Sequence, residues 1–435
     1  MSDQMHLLLF HSPVGMLVHS WRRPGSLAEG QFGLDLVLRS AEAAEAAKFD
    51  AMLLADRVVF ESTGEDPPVG GYEPLTTTGA LVARTSHLGF IPTISTTFAE
   101  PYTVARMLSQ LDHLSGGRVG WSVVTSTDGA QNFAMDMPEK RERYARADEF
   151  LDVAYRIWDA WQDDAVVVDR ERGQWAELDR IRHPRYVGEH YRVAEALTHR
   201  RSPQGRPVIA QAGQSGDGRA FAAKHAEVIF TSQSLMDAAI DFRAQLRERT
   251  ASRPVTPAVL PGIVPVVAKT AIQAQQRLDE IAELLPMEAG LRRLSELLLG
   301  ADLSGLDLDA EIPLERLAAP EEGDSNALIA ASRYRNTYRH IVEQRPTLRQ
   351  LVVSHSRSRS HGTVVGTAET VADHMASWFA AGACDGFTII PPFMPEGLDD
   401  ICELLVPELQ RRGLFRDEYP GTTLRDTLGL PRPGA

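Results

Sequence analysis

The chain has 435 residues, 43% of them hydrophobic and 24% charged, which is typical of a globular protein with a sizeable core. Its formal net charge of −14 argues against a general nucleic-acid or anionic-membrane surface, because such surfaces need a basic footprint. The two cysteines, Cys384 and Cys402, lack metal-type spacing and cannot form a disulfide framework, so we expect a reducing cytoplasm. No apolar run approaches the ~18 residues of a membrane span, and the N-terminal run is too short for a signal peptide.

Short apolar runs alternate along the chain with longer amphipathic segments. They predict eight strands: HLLLF (6–10), AMLLA (51–55), LGFIPTI (88–94), VGWSVV (119–124), PVIAQA (207–212), EVIFT (227–231), GIVPVV (262–267) and GFTIIP (386–391). Amphipathic patterns between most of them predict helices, for example at 34–49, 101–114, 146–161 and 370–382. Strands separated by helices are typical of a parallel sheet, and eight such units predict an α/β fold, the (β/α)₈ TIM barrel.

Two stretches interrupt the alternation. Residues 163–206 contain VVVD and HYRV, which indicate a small β insertion, and residues 284–361 have a helical pattern. We therefore predict one barrel domain over residues 1–435, with insertions at about 163–206 and 284–361. Long insertions of this kind usually act as lids or oligomer contacts.

Polar residues follow several predicted strands, at the end of a barrel where its chemistry is located. Asp56 follows the second strand, Ser95, Thr96 and Thr97 follow the third, and the polar row 125–132 follows the fourth. Each of these residues alone is also a common helix cap. Because a cap needs only one residue per loop, the whole set favours a pocket with several polar walls.

The segment QAGQSGDGRAFAAKHA contains a candidate phosphate site. A strand is followed by a Gly-Gln-Ser-Gly turn, with Gly213, Ser215 and Gly216, and then by a helix that begins near Asp217. Helix N-termini attract anions, and glycines let a phosphate approach the backbone. The segment has neither a GxGxxG fingerprint nor a Walker loop, so the pattern indicates at most a mononucleotide phosphate.

The sequence contains few motifs for a catalytic metal or a side-chain nucleophile. The 13 histidines include no HExxH pair, and there is no GxSxG elbow. This scarcity indicates that a cofactor carries the reaction.

Five motifs resemble those of a known family. They are LDHLSGGRVGWSVVTS, RYARADEFLDVAYRIWDAW, QGRPVIAQAGQSGDGR, VVGTAETVADHMASWFAAGACDGFTIIPP and VPELQRRGLFRDEYPGTTLRDTLGL. The chain is similar over nearly its whole length to the nitrilotriacetate monooxygenase component A branch of the bacterial-luciferase-like flavin monooxygenases. That branch also holds dibenzothiophene-sulfone, EDTA and long-chain alkane monooxygenases and a pristinamycin synthase component. The resemblance implies a (β/α)₈ barrel.

The resemblance also implies the oxygenase component of a two-component system. A separate NAD(P)H:flavin reductase would supply FMN as FMNH₂, and the oxygenase would form a C4a-peroxyflavin with O₂ and oxygenate a small organic substrate. A homodimer or homotetramer is implied as well, with no nucleic-acid or membrane partner.

The site residues implied by the resemblance form three groups. Beside the isoalloxazine it implies Asp56, Ser95, Thr96, Thr97 and Ser126, with Asn132 lining the pocket. Near the phosphate and ribityl chain it implies Tyr144, Gly213, Ser215 and Gly216, with Lys140 at a position where many members have histidine. His361 matches a recurrent family histidine and is the candidate acid–base or peroxide-stabilising residue.

The chain departs from the family in its first loop. Alkane-oxidising members have Cys and His near the positions of Pro13 and Met16, which suggests a different substrate or a different way of handling the peroxide. Two alternatives stay open. The altered first loop and Lys140 leave a flavin-binding protein without oxygenase turnover, and barrel relatives that use a deazaflavin for hydride transfer leave a deazaflavin-dependent dehydrogenase. A metal hydrolase ranks last because the sequence offers no ligand set.

Overall fold

The computed structural model describes residues 4–17, 19–60, 67, 71–212, 216–318, 328–357 and 361–434. Its strands are β1 (His6–Phe10), β2 (Ala51–Leu54), β3 (Gly89–Ser95), β4 (Gly120–Val124), β5 (Val166–Asp169), β6 (Gln174–Ala176), β7 (Tyr186–Val187), β8 (Arg192–Val193), β9 (Val208–Gln211), β10 (Val228–Thr231), β11 (Ala258–Val267), β12 (Gly362–Gly366) and β13 (Gly386–Ile389).

The helices lie mainly between the barrel strands. They are α1 (Leu34–Ala46), α2 (Pro74–Val82), α3 (Pro101–Ser115), α4 (Lys140–Trp158), α5 (Gly216–His225), α6 (Met236–Arg249), α7 (Ala271–Glu283), α8 (Met287–Leu297), α9 (Leu328–Gln344), α10 (Leu348–Arg357), α11 (Ala368–Ala380), α12 (Glu396–Asp400), α13 (Val406–Arg411) and α14 (Leu424–Thr427). In the described ranges, no helix is both long and apolar enough to cross a membrane.

Eight parallel strands close into a barrel, in the order β1, β2, β3, β4, β9, β10, β11 and β13, with β13 pairing back to β1. The predicted α/β TIM barrel is therefore confirmed. The seventh barrel strand, β11, begins at Ala258 rather than at the predicted Gly262. From Ile263 onward it pairs with β12, a strand that was not predicted from the sequence.

Strand alternation divides the apolar residues into an inner and an outer set. The outer set packs against the helices and includes Leu7, Leu9, Met52, Phe90 and Trp121. The inner set fills the barrel and includes Leu8, Leu53, Ile91, Val208, Val228 and Leu260.

The short helix α14 closes the amino end of the barrel. Leu424 and Leu428 pack among the inner side chains, and a Cβ at Gly89 would lie only 2.6 Å from Leu424 Cδ1. Gly89 therefore leaves the room that Leu424 occupies. Because the amino end is filled, a ligand that enters the barrel must use the carboxyl end, where the loops after the strands meet.

The two predicted insertions have structures of their own. Within 163–206, β5 pairs with β6 and β7 pairs with β8, both antiparallel. Within 284–361, helices α8 to α10 lie around a separate apolar cluster that includes Leu294, Tyr334 and Leu351.

Candidate active site

Two serines meet where β3 and β4 end. Ser95 is the last residue of β3, and Ser126 Oγ donates a hydrogen bond to Ser95 Oγ at 2.8 Å. The backbone N–H of Thr97 donates to the same oxygen at 3.2 Å. Because Ser95 Oγ accepts both bonds, its own hydrogen is directed elsewhere, and a ligand at the carboxyl end can accept it.

Thr96, which lies between these residues in the chain, has a different role from the one expected. It is fully buried, and its N–H and hydroxyl both donate to the Val124 carbonyl, at 3.0 and 3.2 Å. Its hydroxyl hydrogen thus holds β3 against β4, so we assign Thr96 to the frame of the site rather than to ligand contact.

Three buried polar side chains near the carboxyl ends of strands have atoms without a hydrogen-bond partner in the part of the chain that the structure describes. They are Thr97 Oγ1, Thr231 Oγ1 and both ring nitrogens of His11. Thr97 is 4% exposed, Thr231 1% and His11 6%. An unsatisfied buried polar group costs about 1–3 kcal/mol, so a polar ligand that bonds to these atoms would regain part of that free energy.

The sequence interpretation missed His11, which directly follows β1. Its ring lies 5.5 Å from the Tyr72 ring, and burial lowers its pKa from 6.5 to about 3. The imidazole is therefore neutral at physiological pH. Its position immediately after a predicted strand was the one signal that could have singled it out.

Asp56 lies two residues beyond β2 with an exposed side chain. Partial loss of hydration raises the pKa of its carboxyl group, the Arg57 backbone N–H lowers it, and the negative charge of Glu73 raises it further. The net direction is upward. Asp56 thus occupies the expected loop, at the open end of the barrel.

The loops after β2, β3 and β4 are tied together. Asn132 Nδ2 donates to the Val58 carbonyl at 2.7 Å, and the rings of Phe98 and Phe133 stack with centroids 4.3 Å apart. The exposed Asn132 side chain thus joins two loops through its amide nitrogen, and its expected pocket-lining role stays a prediction.

The predicted phosphate contacts lie where two helices begin. Lys140 is the first residue of α4, and its Nζ is 3.1 Å from Asp217 Oδ2 in the first turn of α5. One turn further along α4, the Tyr144 ring packs edge-on against Phe221 of α5. Gly216 is the first residue of α5. Gly213 and Ser215 lie outside the described residues, so the structure places neither.

His361 directly precedes β12 at the rim of the barrel. Its ring stacks on Phe230 of β10, with centroids 5.3 Å apart and planes inclined by 26°. Phe230 in turn lies 5.9 Å from Phe10, the last residue of β1. These three partly buried rings form an aromatic cluster at the carboxyl end of the barrel.

The described site residues thus occupy the carboxyl end of one barrel. Comparison with known proteins identifies the family of the chain. The family model for luciferase-like monooxygenases matches residues 14–384. N-acetyl-S-(2-succino)cysteine monooxygenase of Bacillus subtilis (strain 168) is 40% identical, over 99% of this chain and 97% of that protein.

Two further matches extend the comparison. Nitrilotriacetate monooxygenase component A of Aminobacter aminovorans is 36% identical, over 99% of this chain and 98% of that protein, which confirms the branch that the motifs indicated. The structure of a riboflavin lyase with modified FMN and riboflavin superposes with a TM-score of 0.81 at 28% identity, covering 98% of this chain and 96% of that one. The chain therefore belongs to the luciferase-like monooxygenase family.

Proposed function

We propose that this chain is the oxygenase component of a two-component, FMN-dependent monooxygenase. It binds FMNH₂ from a separate NAD(P)H:flavin reductase and uses O₂ to oxygenate a small organic substrate. The observation that carries the proposal is the carboxyl end of the barrel, where the Ser95–Ser126 pair and a cluster of aromatic rings both lie. The proposed chemistry, flavin-dependent oxygenation, comes from the family to which the chain belongs.

The residues at the carboxyl end fit a flavin. Thr97, Thr231 and His11 have buried polar atoms left without partners among the described residues, as expected where a polar ligand completes the site. A flavin has a polar edge for such groups and an apolar ring system for Phe10 and Phe230. When bound, the reduced flavin supplies the electrons that activate O₂.

The protein groups bind, orient and exclude water. Ser95 donates its hydroxyl hydrogen to an acceptor on the flavin edge, held in direction by the bonds it accepts from Ser126 and Thr97. Phe10 and Phe230 keep water from the reacting face, which protects a reactive oxygen species from premature loss. His361 holds or moves a proton at its imidazole.

At the other end of the flavin, we propose that Lys140 and the N-terminus of α5 hold the phosphate. The lysine Nζ already lies beside the first turn of α5, where it pairs with Asp217 at 3.1 Å. A phosphate there would gain both the lysine charge and the positive end of the helix dipole. Tyr144, Gly213, Ser215 and Gly216 complete the proposed phosphate and ribityl contacts, and Asp56 the flavin edge.

The overall reaction balances as FMNH₂ + O₂ + substrate giving FMN, water and the oxygenated substrate. Two compounds named by the relatives, N-acetyl-S-(2-succino)cysteine and nitrilotriacetate, are the first substrates to try. Without a substrate, the same electrons reduce O₂ to hydrogen peroxide.

The experiment that tests the proposal is an anaerobic titration with FMNH₂ and separately with FMN, followed by rapid mixing with O₂. We expect FMNH₂ to bind and its oxidation on the protein to be slower than in free solution, through a transient absorbing species. Absence of FMNH₂ binding would contradict the proposal. Binding without product from any substrate would favour the flavin-binding protein, and hydride transfer from a deazaflavin without O₂ uptake would favour the dehydrogenase.

Cellular location and assembly belong to the same proposal. Cys384 and Cys402 are both free thiols, which is in keeping with the cytoplasm. Trp175, Leu178 and Val187, in the 163–206 segment, are 66%, 79% and 72% exposed. Apolar side chains of this size in one segment support the homodimer or homotetramer implied by the family.

A further inference from the structure

Gly262 lies where β11 leaves the barrel. β10 pairs with β11 as far as Thr231 opposite Pro261, and β13 pairs with it as far as Ile389 opposite Ile263. Beyond this point β12 takes over, beginning with Gly362 opposite Ile263. In this parallel register, the residue before Gly362 stands beside Gly262. That residue is His361.

The space above Gly262 is filled by His361 and Phe230. A Cβ at Gly262 would lie 2.4 Å from His361 Nδ1, 2.9 Å from His361 Cε1 and 2.9 Å from Phe230 Cε2. Nonbonded carbon and nitrogen atoms do not approach so closely, so a side chain of any size would move both rings. The backbone of Gly262 is not left-handed, so the glycine is required by space and not by conformation.

The absence of a side chain at Gly262 lets the His361 ring stack on Phe230, and this contact fixes the orientation of the imidazole. His361 lies against Phe230 at 5.3 Å and 26°, and the missing side chain lets its Nδ1 edge sit over the strand. A proton-transfer group works only when it is held within hydrogen-bond reach of its target. A side chain at position 262 would therefore change where His361 acts without removing it.

We propose that Gly262 is a positioning residue for the reaction, which acts by seating the His361 imidazole against Phe230 at the mouth of the barrel. The proposal rests on the proposed function, because it requires a reduced flavin that reacts with O₂ beside His361. It adds a residue that neither the motifs nor the family resemblance singled out.

The test compares Gly262→Ala with a matched glycine next to the histidine. A Cβ at Gly362 would meet nothing within 4 Å, so Gly362→Ala makes the same chemical change without touching the ring. Each variant, loaded anaerobically with FMNH₂, is mixed with O₂ in a single turnover without substrate. FMNH₂ then passes two electrons and two protons to O₂, and the rates of FMN and hydrogen peroxide formation are measured.

We expect Gly262→Ala and His361→Ala each to change the rate at which the bound flavin is oxidised by about fivefold or more, while Gly362→Ala matches the wild type. The double variant Gly262→Ala/His361→Ala should oxidise the bound flavin at the same rate as His361→Ala alone, because Gly262 acts only through the imidazole. A wild-type rate in Gly262→Ala or in His361→Ala would overturn the proposal. So would a Gly262→Ala effect that persists when His361 is absent.

A second readout does not depend on flavin. In the protein with isotope-labelled histidine, the His361 ring signal is assigned with His361→Ala and should carry the ring-current shift of the stacked Phe230. Gly262→Ala should remove that shift and Gly362→Ala should keep it. An unchanged His361 signal in Gly262→Ala would show that Gly262 does not position the imidazole against Phe230. The wild-type FMNH₂ titration separates the two hypotheses. If the wild type binds FMNH₂ but Gly262→Ala and Gly362→Ala oxidise it at the same rate, only the inference about Gly262 fails. If the wild type does not bind FMNH₂, the proposed function fails as well.

Discussion

Arg118 near the amino end of the barrel and three side chains at its carboxyl end differ in how completely their buried polar atoms are hydrogen-bonded. Near the amino end, every guanidinium nitrogen of Arg118 donates to an oxygen, including the carbonyls of Ser115, Leu88 and Val82. At the carboxyl end, His11, Thr97 and Thr231 leave buried polar atoms without partners among the described residues. The Arg118 hydrogen bonds stabilise the fold without a ligand. The unpaired atoms at the carboxyl end lower the stability of the free protein and can form hydrogen bonds with a ligand.

The largest expected effect concerns the closed end. Leu424→Ala should lower the free energy of unfolding by about 2–5 kcal/mol, because it opens a cavity among the inner barrel side chains. Urea denaturation measures this, with Leu178→Ala as the control, since Leu178 is 79% exposed. FMNH₂ affinity of the folded variant should stay within about twofold of the wild type. A large loss of affinity would show that the two ends are not independent.

The second prediction concerns pH and the open end. Burial lowers the pKa of His11 to about 3, so between pH 6.5 and 3 the unfolded chain binds a proton that the folded chain does not. The contribution of His11 therefore makes stability fall as the pH falls through this window, by at most about 1.4 kcal/mol per pH unit.

His11→Phe isolates this contribution. The variant should lose less stability on acidification than the wild type, and without flavin at neutral pH it should be more stable by about 1 kcal/mol, because an apolar ring replaces unsatisfied nitrogens. Denaturation midpoints at several pH values measure both effects. His374→Phe serves as the control, since burial lowers the pKa of this half-buried histidine on α11 as well, away from the mouth. Equal pH profiles for wild type and His11→Phe would contradict the assignment.

The third prediction tests the reserved hydroxyls. Ser95→Ala should weaken FMNH₂ binding by about three- to tenfold, the equivalent of one hydrogen bond, with little change in the stability of the free protein. Ser126→Ala should have a smaller effect, since the hydrogen of Ser126 is donated to Ser95 and not to the ligand. Anaerobic titration measures both, and Ser377→Ala on the exposed side of α11 is the control. Unchanged affinity in Ser95→Ala would remove this serine from the flavin site.

The smallest expected effect is at the phosphate end. Lys140→Met should weaken FMN binding by a few fold and leave riboflavin binding unchanged, because only FMN has the phosphate. Stability should change by less than about 1 kcal/mol, since the Lys140–Asp217 pair is partly exposed. Lys224→Met, whose lysine pairs with Asp148, is the matched control. Equal losses for FMN and riboflavin would place Lys140 elsewhere than at the phosphate.

The sequence predicted the barrel strands better than it predicted individual roles at the carboxyl end. Continuous apolar runs identify strands buried on both faces, which is why the barrel followed from the pattern. The pattern does not show which way a hydroxyl points after a strand ends. Thr96 was therefore grouped with Ser95, although Thr96 bonds the Val124 carbonyl.

Other features depend on contacts between distant segments. His11 is a single histidine after a strand, and only its burial in three dimensions reveals its unpaired nitrogens. The Lys140–Asp217 pair requires two helices to begin side by side. The role of Gly262 depends on the register between β11 and a strand that is almost a hundred residues away. No local spacing in the sequence contains this information.

The position of α14 has a consequence for the order of events during synthesis. The barrel closes only when β13 pairs with β1, and its interior is filled only when Leu424 enters it. Both elements follow the other seven barrel strands along the chain, so the strands that are synthesised first have an unpaired edge and an unfilled interior until then. A nascent chain should therefore stay protease-sensitive until β13 and α14 have both left the ribosome.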